Sequence, residues 1–402
     1  MRLQQEDRTA DAIAMLEAIA ATGHRRAAFH VGQLLNESGD PAAAVPWFRR
    51  AADAGWATGA YNLGAFHAIG KGVAKDLVES TRWYERAADL GNHEAAIVRG
   101  TMWCNGEGSE PDMAQALAWW RRAAREGMPK AMFYLGDSFR AGNGVEKDEV
   151  EAIGWYLRAR EIEETHITAE RIKQLRDAVR ARADAGDLVA AARVGQMFVH
   201  GCGYARDREE GARWLAKAVE VSADAARELA TLHRKGEGAV QDMGAARRLY
   251  ESAALRGDRD AQHALAFAWS EGHGGPLDAD AAIRWYRASA DQGALWSLDD
   301  LGVCLRDRDP AQSLALSLQA AERGYRRAML RVGILLRDGR CGPRDPVQAL
   351  RWLFAALAQR IGDGVHEMHA LGKELADDQI HEANRLADDD GSAAETLIAT
   401  SR

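Results

Sequence analysis

Cysteine and proline are scarce in this chain, and basic residues are outnumbered by acidic ones. Its 402 residues include 4 Cys and 8 Pro, and the formal net charge is -8 at pH 7. The cysteines lie far apart in the sequence and form no CxxC pair, so neither a disulfide framework nor a thiolate zinc site is indicated. The acidic balance argues against non-specific binding to nucleic acid or to anionic membranes, because both require basic surfaces.

Long apolar runs are also missing. Met1 is followed by RLQQEDRTADAIAML, which has no apolar core of a signal peptide, and no stretch of about 18 apolar residues occurs anywhere. We therefore expect no membrane insertion and a cytoplasmic location. A periplasmic location would apply if a leader had been removed.

A repeated pattern dominates what is present. Trp47, Trp83, Trp119 and Trp155 recur every 36 residues (47 to 83, 83 to 119, 119 to 155). Each window, as in ATGAYNLGAFHAIGKGVAKDLVESTRWYERAADLG at 57–91, has the pattern of a helix, a glycine-rich turn, a second helix and a glycine stop. A fixed period of this size predicts an all-α solenoid of stacked helix-turn-helix repeats.

The recurring positions have structural roles. A small residue such as Gly64 or Gly100 inside the first helix predicts close approach of a neighbouring helix, because glycine otherwise destabilises a helix by roughly 1 kcal/mol. Pairs of glycines in the turns indicate positive φ angles. Asp76 and Asp112 are placed to cap second helices, and the tryptophans are predicted to fill the core between repeats.

The period predicts nine repeats, interrupted once. Residues 165–185, THITAERIKQLRDAVRARADA, hold a helical pattern without a glycine-turn partner. The predicted organisation is a capping half-repeat at 1–25, four repeats at 26–164, an extra helix at 165–187, five repeats at 188–362, and a closing helix and tail at 363–402.

The recurring positions of the 36-residue window resemble the Sel-one-like repeat, a relative of the tetratricopeptide repeat. The fourth repeat matches the pattern at Ala131, Leu135, Gly136, Phe139, Gly142, Gly144, Val145, Asp148, Trp155 and Tyr156. The resemblance covers about residues 26–160 and 188–360. It implies a right-handed α-superhelix that acts as an adaptor between proteins, as in bacterial signalling, regulation or complex assembly.

Motifs of catalysis are not found. The turns contain no GxxxxGK[ST] phosphate loop, and the chain has no HExxH or GxSxG signature. His366 and His369 are three residues apart near Glu367, which favours an amphipathic capping helix over a metal site. We therefore predict no catalytic residue, no cofactor and no bound metal.

The expected function is that of a scaffold that binds a protein or peptide in a concave groove lined by the first helices. By analogy with tetratricopeptide stacks, the candidate groove positions are Phe29, Gln33, Tyr61, Thr101, Phe133, Asp137, Arg140, Gln196, Arg227, Thr231, Arg234, His263, Phe267 and Arg306. The aromatic members could instead belong to the core, and the arginines are expected to be exposed. The alternative is a hydrolase-like enzyme with a site at 165–187. The oligomeric state is not indicated.

Overall fold

The computed structural model describes residues 2–21, 23–358 and 365–390, and in these ranges it contains 22 helices and no strand. The first ten helices are α1 Arg2–Ala21, α2 Arg25–Glu37, α3 Pro41–Asp53, α4 Ala57–Ile69, α5 Leu77–Asp89, α6 His93–Asn105, α7 Met113–Arg125, α8 Pro129–Ala141, α9 Glu149–Ile162 and α10 His166–Asp184. The others are α11 Leu188–His200, α12 Arg208–Ala218, α13 Ala223–Lys235, α14 Met243–Leu255, α15 Arg259–Ser270, α16 Ala279–Asp291, α17 Leu295–Leu305, α18 Pro310–Glu322, α19 Arg326–Asp338, α20 Pro346–Ala358, α21 Val365–Gly372 and α22 Asp377–Asp390.

The helices divide into two compact units, one ending at Lys147 and the other spanning Asp148–Asp390. Within each unit, helices adjacent in sequence pack on one another in pairs, and the pairs stack in chain order. The predicted all-α solenoid is confirmed. The extra helix predicted at 165–187 corresponds to α10 and lies inside the second unit, while the predicted tail beyond residue 390 lies outside the described residues.

Capping aspartates and left-handed glycines define the ends of the helices, as the sequence indicates. Asp76 accepts a hydrogen bond of 2.9 Å from the backbone N–H of Glu79 at the start of α5. Gly70, whose φ is 74°, caps the C-terminus of α4, and Gly106, whose φ is 71°, caps that of α6. These are positions where residues other than glycine are strained, which explains why the turn repeats so closely.

Where a first helix contains the recurring glycine, that glycine marks a contact with the second helix of the same repeat, as Gly64 and Gly100 show. A Cβ atom added to Gly100 in α6 would lie 2.5 Å from Nε1 of Trp120 in α7. One added to Gly64 in α4 would lie 3.0 Å from the ring of Tyr84 in α5. The two helices of a repeat therefore pack at a distance that only a small residue allows.

The tryptophan column has its predicted core role only at Trp83, which is buried. Trp47, Trp119 and Trp155 are only half-buried, whereas the residue that follows each tryptophan of the column is buried. The buried column consists of Phe48, Tyr84, Trp120 and Tyr156. The tryptophan column instead packs under an arginine three residues later, one turn along the second helix. This geometry repeats at Arg50, Arg86, Arg122 and Arg158, with guanidinium-to-ring distances of 5.1–5.6 Å.

Helix α10 takes the place of a second helix. In the first unit, the turn glycine Gly108 packs against Leu77, at the start of the second helix of the preceding repeat. In the second unit, a Cβ atom on Gly203 would lie 3.3 Å from Ile172 in α10. Ile172 and Val179 are fully buried. The turn of the fifth repeat therefore packs on α10 as other turns pack on a regular second helix.

Candidate functional site

The second unit contains a pocket of about 480 Å³ on the face formed by its first helices. Its walls come from α13, α14, α15, α17 and the start of α19. Three of the candidate groove residues line it: Arg234 at the end of α13, and His263 and Phe267 on α15. The structure therefore brings these three of the fourteen candidate side chains together at one pocket.

His263 lines this pocket. Its Nε2 lies 3.5 Å from the carboxylate of Asp300 on α17, and its ring lies 5.4 Å from Tyr286 and 6.5 Å from Trp296, measured between ring centroids. Burial lowers the pKa of His263, although Asp300 and Asp260 act in the opposite direction. A His263 pKa below the usual value keeps the imidazole neutral at pH 7.

Phe267 provides exposed apolar surface one turn further along α15. Its side chain is 44% exposed, and its ring lies 5.5 Å from that of His273 in the following turn. Trp296, half-buried, lies in the same pocket. Exposed aromatic surface beside a recess is typical of sites that receive an apolar side chain of a partner.

Cationic groups surround these rings. Arg234 and Arg327 are exposed at the pocket, and Nε of Arg234 donates a 3.4 Å hydrogen bond to the hydroxyl of Tyr250. Arg247 is buried, with its guanidinium 3.2 Å from the ring centroid of Trp269. The two exposed arginines each hydrogen-bond a tyrosine of the pocket, Tyr250 or Tyr325, and also face solvent, whereas Arg247 is held in the wall of the pocket.

The repeat pattern that builds this pocket matches a known family model. The Sel1 repeat model matches residues 18–56, 57–92, 93–128, 129–161, 188–220, 223–258, 259–293, 300–325 and 326–360. These segments cover most of the chain. The chain belongs to the Sel1 repeat family. Sel1 repeats generally mediate protein–protein interactions, and the predicted family resemblance is confirmed.

Solved structures of Sel1 repeat proteins are similar at low sequence identity. A protective antigen of uropathogenic Escherichia coli strains displaying an SLR fold is 23% identical, with 97% of each chain covered and a TM-score of 0.39. A Sel1 repeat protein from Oxalobacter formigenes is 24% identical, with 71% of this chain and 88% of that chain covered and a TM-score of 0.36. No curated protein matches the chain. Among the described residues, none of the helices has the length and apolarity needed to span a bilayer.

Other candidate groove residues of the C-terminal Sel1 repeats are engaged within the protein. Gln196 is 5% exposed and donates a 3.0 Å hydrogen bond to Glu228, so it is a buried polar residue. The side chain of Arg227 is 23% exposed and lies 3.2 Å from Asp258, which corrects the expectation that it is exposed. Thr231 bonds the carbonyl of Arg227.

Arg306 retains an exposed position. It follows the last residue of α17, at the C-terminal end of that helix, and it is not part of the pocket wall. Its predicted role in partner binding therefore does not share a site with Arg234, His263 and Phe267.

The candidate residues of the N-terminal Sel1 repeats differ in burial and in their contacts. Phe29 is 3% exposed and packs against Phe48 and Trp56, so it belongs to the core, because its position on α2 faces α3. Gln33 is half-buried on the same helix. Tyr61 packs edge-to-face on Tyr84, with ring centroids 5.3 Å apart.

The third and fourth Sel1 repeats carry the remaining candidates. Thr101 bonds the carbonyl of Ile97 in its own helix. Phe133 is half-buried and its ring lies 6.3 Å from that of Tyr134. Asp137 and Arg140 form an ion pair of 2.9 Å on α8.

Several pocket residues were not predicted from the sequence, among them Tyr250, Trp296, Tyr325 and Arg327. Tyr250 belongs to a second helix, and the other three lie within the first two positions of α17 and α19 or just before them. The analogy selected only positions at fixed offsets from the recurring glycine or alanine of each first helix, and these four residues lie at other positions. Trp296 was the most visible signal, since it is a tryptophan outside the repeating column.

Proposed function

We propose that this Sel1 repeat protein is an interaction scaffold that binds a segment of a partner protein at the pocket around His263 and Phe267. The observation that carries the proposal is the exposed ring of Phe267 beside a recess of about 480 Å³ at the first helices. A pocket with aromatic walls and a few polar groups is the usual form of a peptide-binding site.

The chemistry of the pocket suggests what the partner segment contains. Phe267 and Trp296 offer apolar contact, while Arg234 and Arg327 offer two cationic groups at the same opening. A segment with an apolar side chain next to a carboxylate satisfies both features, because an arginine donates paired hydrogen bonds to a carboxylate. The role in bacterial signalling, regulation or complex assembly and the cytoplasmic location stay predictions.

A photo-crosslinking amino acid placed at position 267 tests this site in the cell. We expect a discrete crosslinked partner, and none from the same amino acid at Leu255, which is 72% exposed on α14. The partner is then purified, and its affinity is measured for Phe267→Ala combined with Arg234→Glu. The expected loss is at least tenfold.

The control for that measurement is Val240→Ala. Val240 is 84% exposed in a repeat turn and lies outside the pocket. Equal affinity of the double variant and the Val240→Ala control, with unchanged helical circular dichroism, would reject the pocket as the binding site.

The described residues around 165–187 support the alternative, an enzyme site at this helix, less well than the pocket around His263 and Phe267 supports partner binding. The side chains of α10 that point inward, Ile172 and Val179, are buried against neighbouring helices. Those at its polar face form ion pairs, such as Arg180 with Asp184 at 3.1 Å. Both features favour a structural role for this helix.

A further inference from the structure

Three potential metal ligands from three different helices converge in the second unit. They are Glu161 near the end of α9, His200 at the end of α11 and Glu228 in α13, and their ligand atoms all lie within 4.8 Å of one another. Nε2 of His200 lies 3.2 Å from Oε1 of Glu228 and 3.8 Å from Oε1 of Glu161. In a tetrahedral site with bonds of about 2.0–2.1 Å, neighbouring ligand atoms are about 3.3–3.4 Å apart. The distances between the ligand atoms of the cluster are therefore close to those in a tetrahedral metal site.

Glu228 has a buried oxygen that the protein leaves unsatisfied. Its side chain is only 7% exposed. Oε1 accepts a 3.0 Å hydrogen bond from Gln196 and contacts His200, but Oε2 is buried and has no hydrogen-bond partner among the described residues. An unpaired buried carboxylate oxygen is energetically costly, so a ligand at this position would relieve a real deficit.

The cluster also carries an excess of negative charge. Within the described part of the chain, the ion pairs of Glu161 and Glu228 are with His200 alone. Arg227 acts on both carboxylates from a longer distance while it pairs with Asp258. The neighbouring Arg193 is paired with Asp224 at 3.1 Å. Two carboxylates that face one imidazole form a donor set that suits a divalent cation.

His200 and Glu228 depart from the repeating pattern, whereas Glu161 occupies the same acidic position as Asp53 and Asp89 in other repeats. The position of His200, just before the first turn glycine, is occupied by Ile69, Asn105, Ala141 and Lys235 in other repeats. The position of Glu228, two residues before the small residue of the first helix, is Arg193 in the preceding repeat. A combination that occurs once in the array is not explained by the packing of the repeat.

We propose that Glu161, His200 and Glu228 bind one divalent transition-metal ion, for which Zn²⁺ is the best match. Zn²⁺ accepts one imidazole nitrogen with carboxylate oxygens, and three protein ligands leave its fourth position open. Glu161 is 43% and His200 35% exposed, so solvent and the ion reach the site from that side. Gln196 holds Glu228 in place as a second layer of support.

The sequence predicted no metal site because its three ligands are far apart in the chain and match no short motif. Only the stacking of α11 on α13 and the contact of α9 with α11 bring them together. The ion would link three helices close to the extra helix α10. Its binding is independent of a peptide in the pocket around His263.

The test uses the purified full chain, stripped with a chelator and titrated with Zn²⁺ by calorimetry, with Co²⁺ absorption as a second readout. We expect one ion per chain and a rise in the thermal midpoint with added Zn²⁺, since only the folded protein assembles the ligands. Glu161→Gln should weaken binding at least tenfold, and His200→Ala should abolish it. Glu161 is exposed, so its variant leaves the fold intact.

The matched control is His263→Ala, which removes the other histidine paired with a carboxylate, at 3.5 Å from Asp300. Its Zn²⁺ affinity should equal that of the unmodified protein. Absence of 1:1 binding would mean that the cluster is a hydrogen-bonded triad only, and would overturn the proposal. So would binding that persists unchanged in Glu161→Gln and His200→Ala.

Discussion

Oδ2 of Asp224 lies 3.1 Å from Nη1 of Arg193, and the same oxygen lies 3.0 Å from Nη2 of Arg158. Asp224 is at the start of α13, Arg193 is on α11 and Arg158 is on α9. One carboxylate therefore joins three helices of the second unit. Arg158 belongs to the column in which Arg86 pairs with Asp53 and Arg122 with Asp89.

Replacing Asp224 should strongly destabilise the second unit. Asp224→Asn leaves two arginines without their shared partner, and breaking a largely buried ion pair in this way costs roughly 3–5 kcal/mol. Asp184→Asn, which breaks the exposed pair with Arg180, should cost less than about 1 kcal/mol. Urea unfolding followed by circular dichroism measures both, and equal effects would contradict the role assigned to Asp224.

The effect of Asp224 should disappear in acid. Burial alone would raise the pKa of Asp224, but the charges of Arg158, Arg193 and Arg227 outweigh it and hold the pKa below its usual range. A carboxyl with a lowered folded-state pKa stabilises the protein above its unfolded pKa of about 3.9, and this contribution is lost as pH falls through the folded-state value. The difference in free energy of unfolding between Asp224→Asn and the unmodified protein should therefore be largest at pH 7 and decrease below about pH 4.

Asp299 should show the opposite dependence. Burial raises its pKa to about 6, despite the nearby Arg331. Between about pH 4 and pH 6 the folded protein then binds the proton more tightly than the unfolded chain, so stability falls as pH rises through this window. Asp299→Asn should stabilise the protein by on the order of 2 kcal/mol at pH 7.5 and have little effect at pH 4.5. Urea midpoints at the two pH values decide this, and the same effect at both would be inconsistent with the raised pKa.

The arginine over Trp119 should stabilise the first unit. The guanidinium of Arg122 lies 5.1 Å from the ring centroid of Trp119, bonds Asp89 at 2.9 Å and donates to the carbonyl of Ala88 at 2.8 Å. We expect Arg122→Ala to cost about 1–2 kcal/mol through the loss of the stacking and hydrogen bonds. Arg121→Ala, at the exposed neighbouring position, should cost under about 0.5 kcal/mol.

A double-mutant cycle isolates the stacking. The coupling free energy between Trp119→Ala and Arg122→Ala should be about 0.5–1 kcal/mol, measured from unfolding of the two single variants and the double variant. Strictly additive effects would mean that the arginine acts through Asp89 and Ala88 alone.

Gly100→Ala should destabilise the protein although alanine favours helices. Its Cβ would meet Nε1 of Trp120 at 2.5 Å and the carbonyl of Ala116 at 3.1 Å, so α6 and α7 must separate. Such overpacking costs about 1–3 kcal/mol. Gly372→Ala is the matched control, because no atom lies within 4 Å of its added Cβ at the end of α21. Thermal unfolding should show a lower midpoint for Gly100→Ala and an unchanged or higher one for Gly372→Ala.

Much of the fold follows from local sequence. Capping by Asp76 and the left-handed turn at Gly70 are interactions within a few residues, so they recur wherever the same residues recur. The close approach at Gly100 follows from the same periodicity. Family membership and the all-α solenoid could therefore be predicted without coordinates.

Side-chain exposure and long-range pairing could not be predicted from the sequence. Phe29 and Phe267 were selected for the same groove, yet one is 3% and the other 44% exposed, because neighbouring helices cover only the first. Arg227 was expected to meet a partner, but Asp258, in the next repeat, already binds it. Glu161, His200 and Glu228 come together only when three helices stack, which no local pattern encodes. The sequence of the repeat determines the short-range geometry of the helix ends and turns. The pocket around His263 and the Glu161–His200–Glu228 cluster depend on which non-repeating side chains the stacked helices bring into contact.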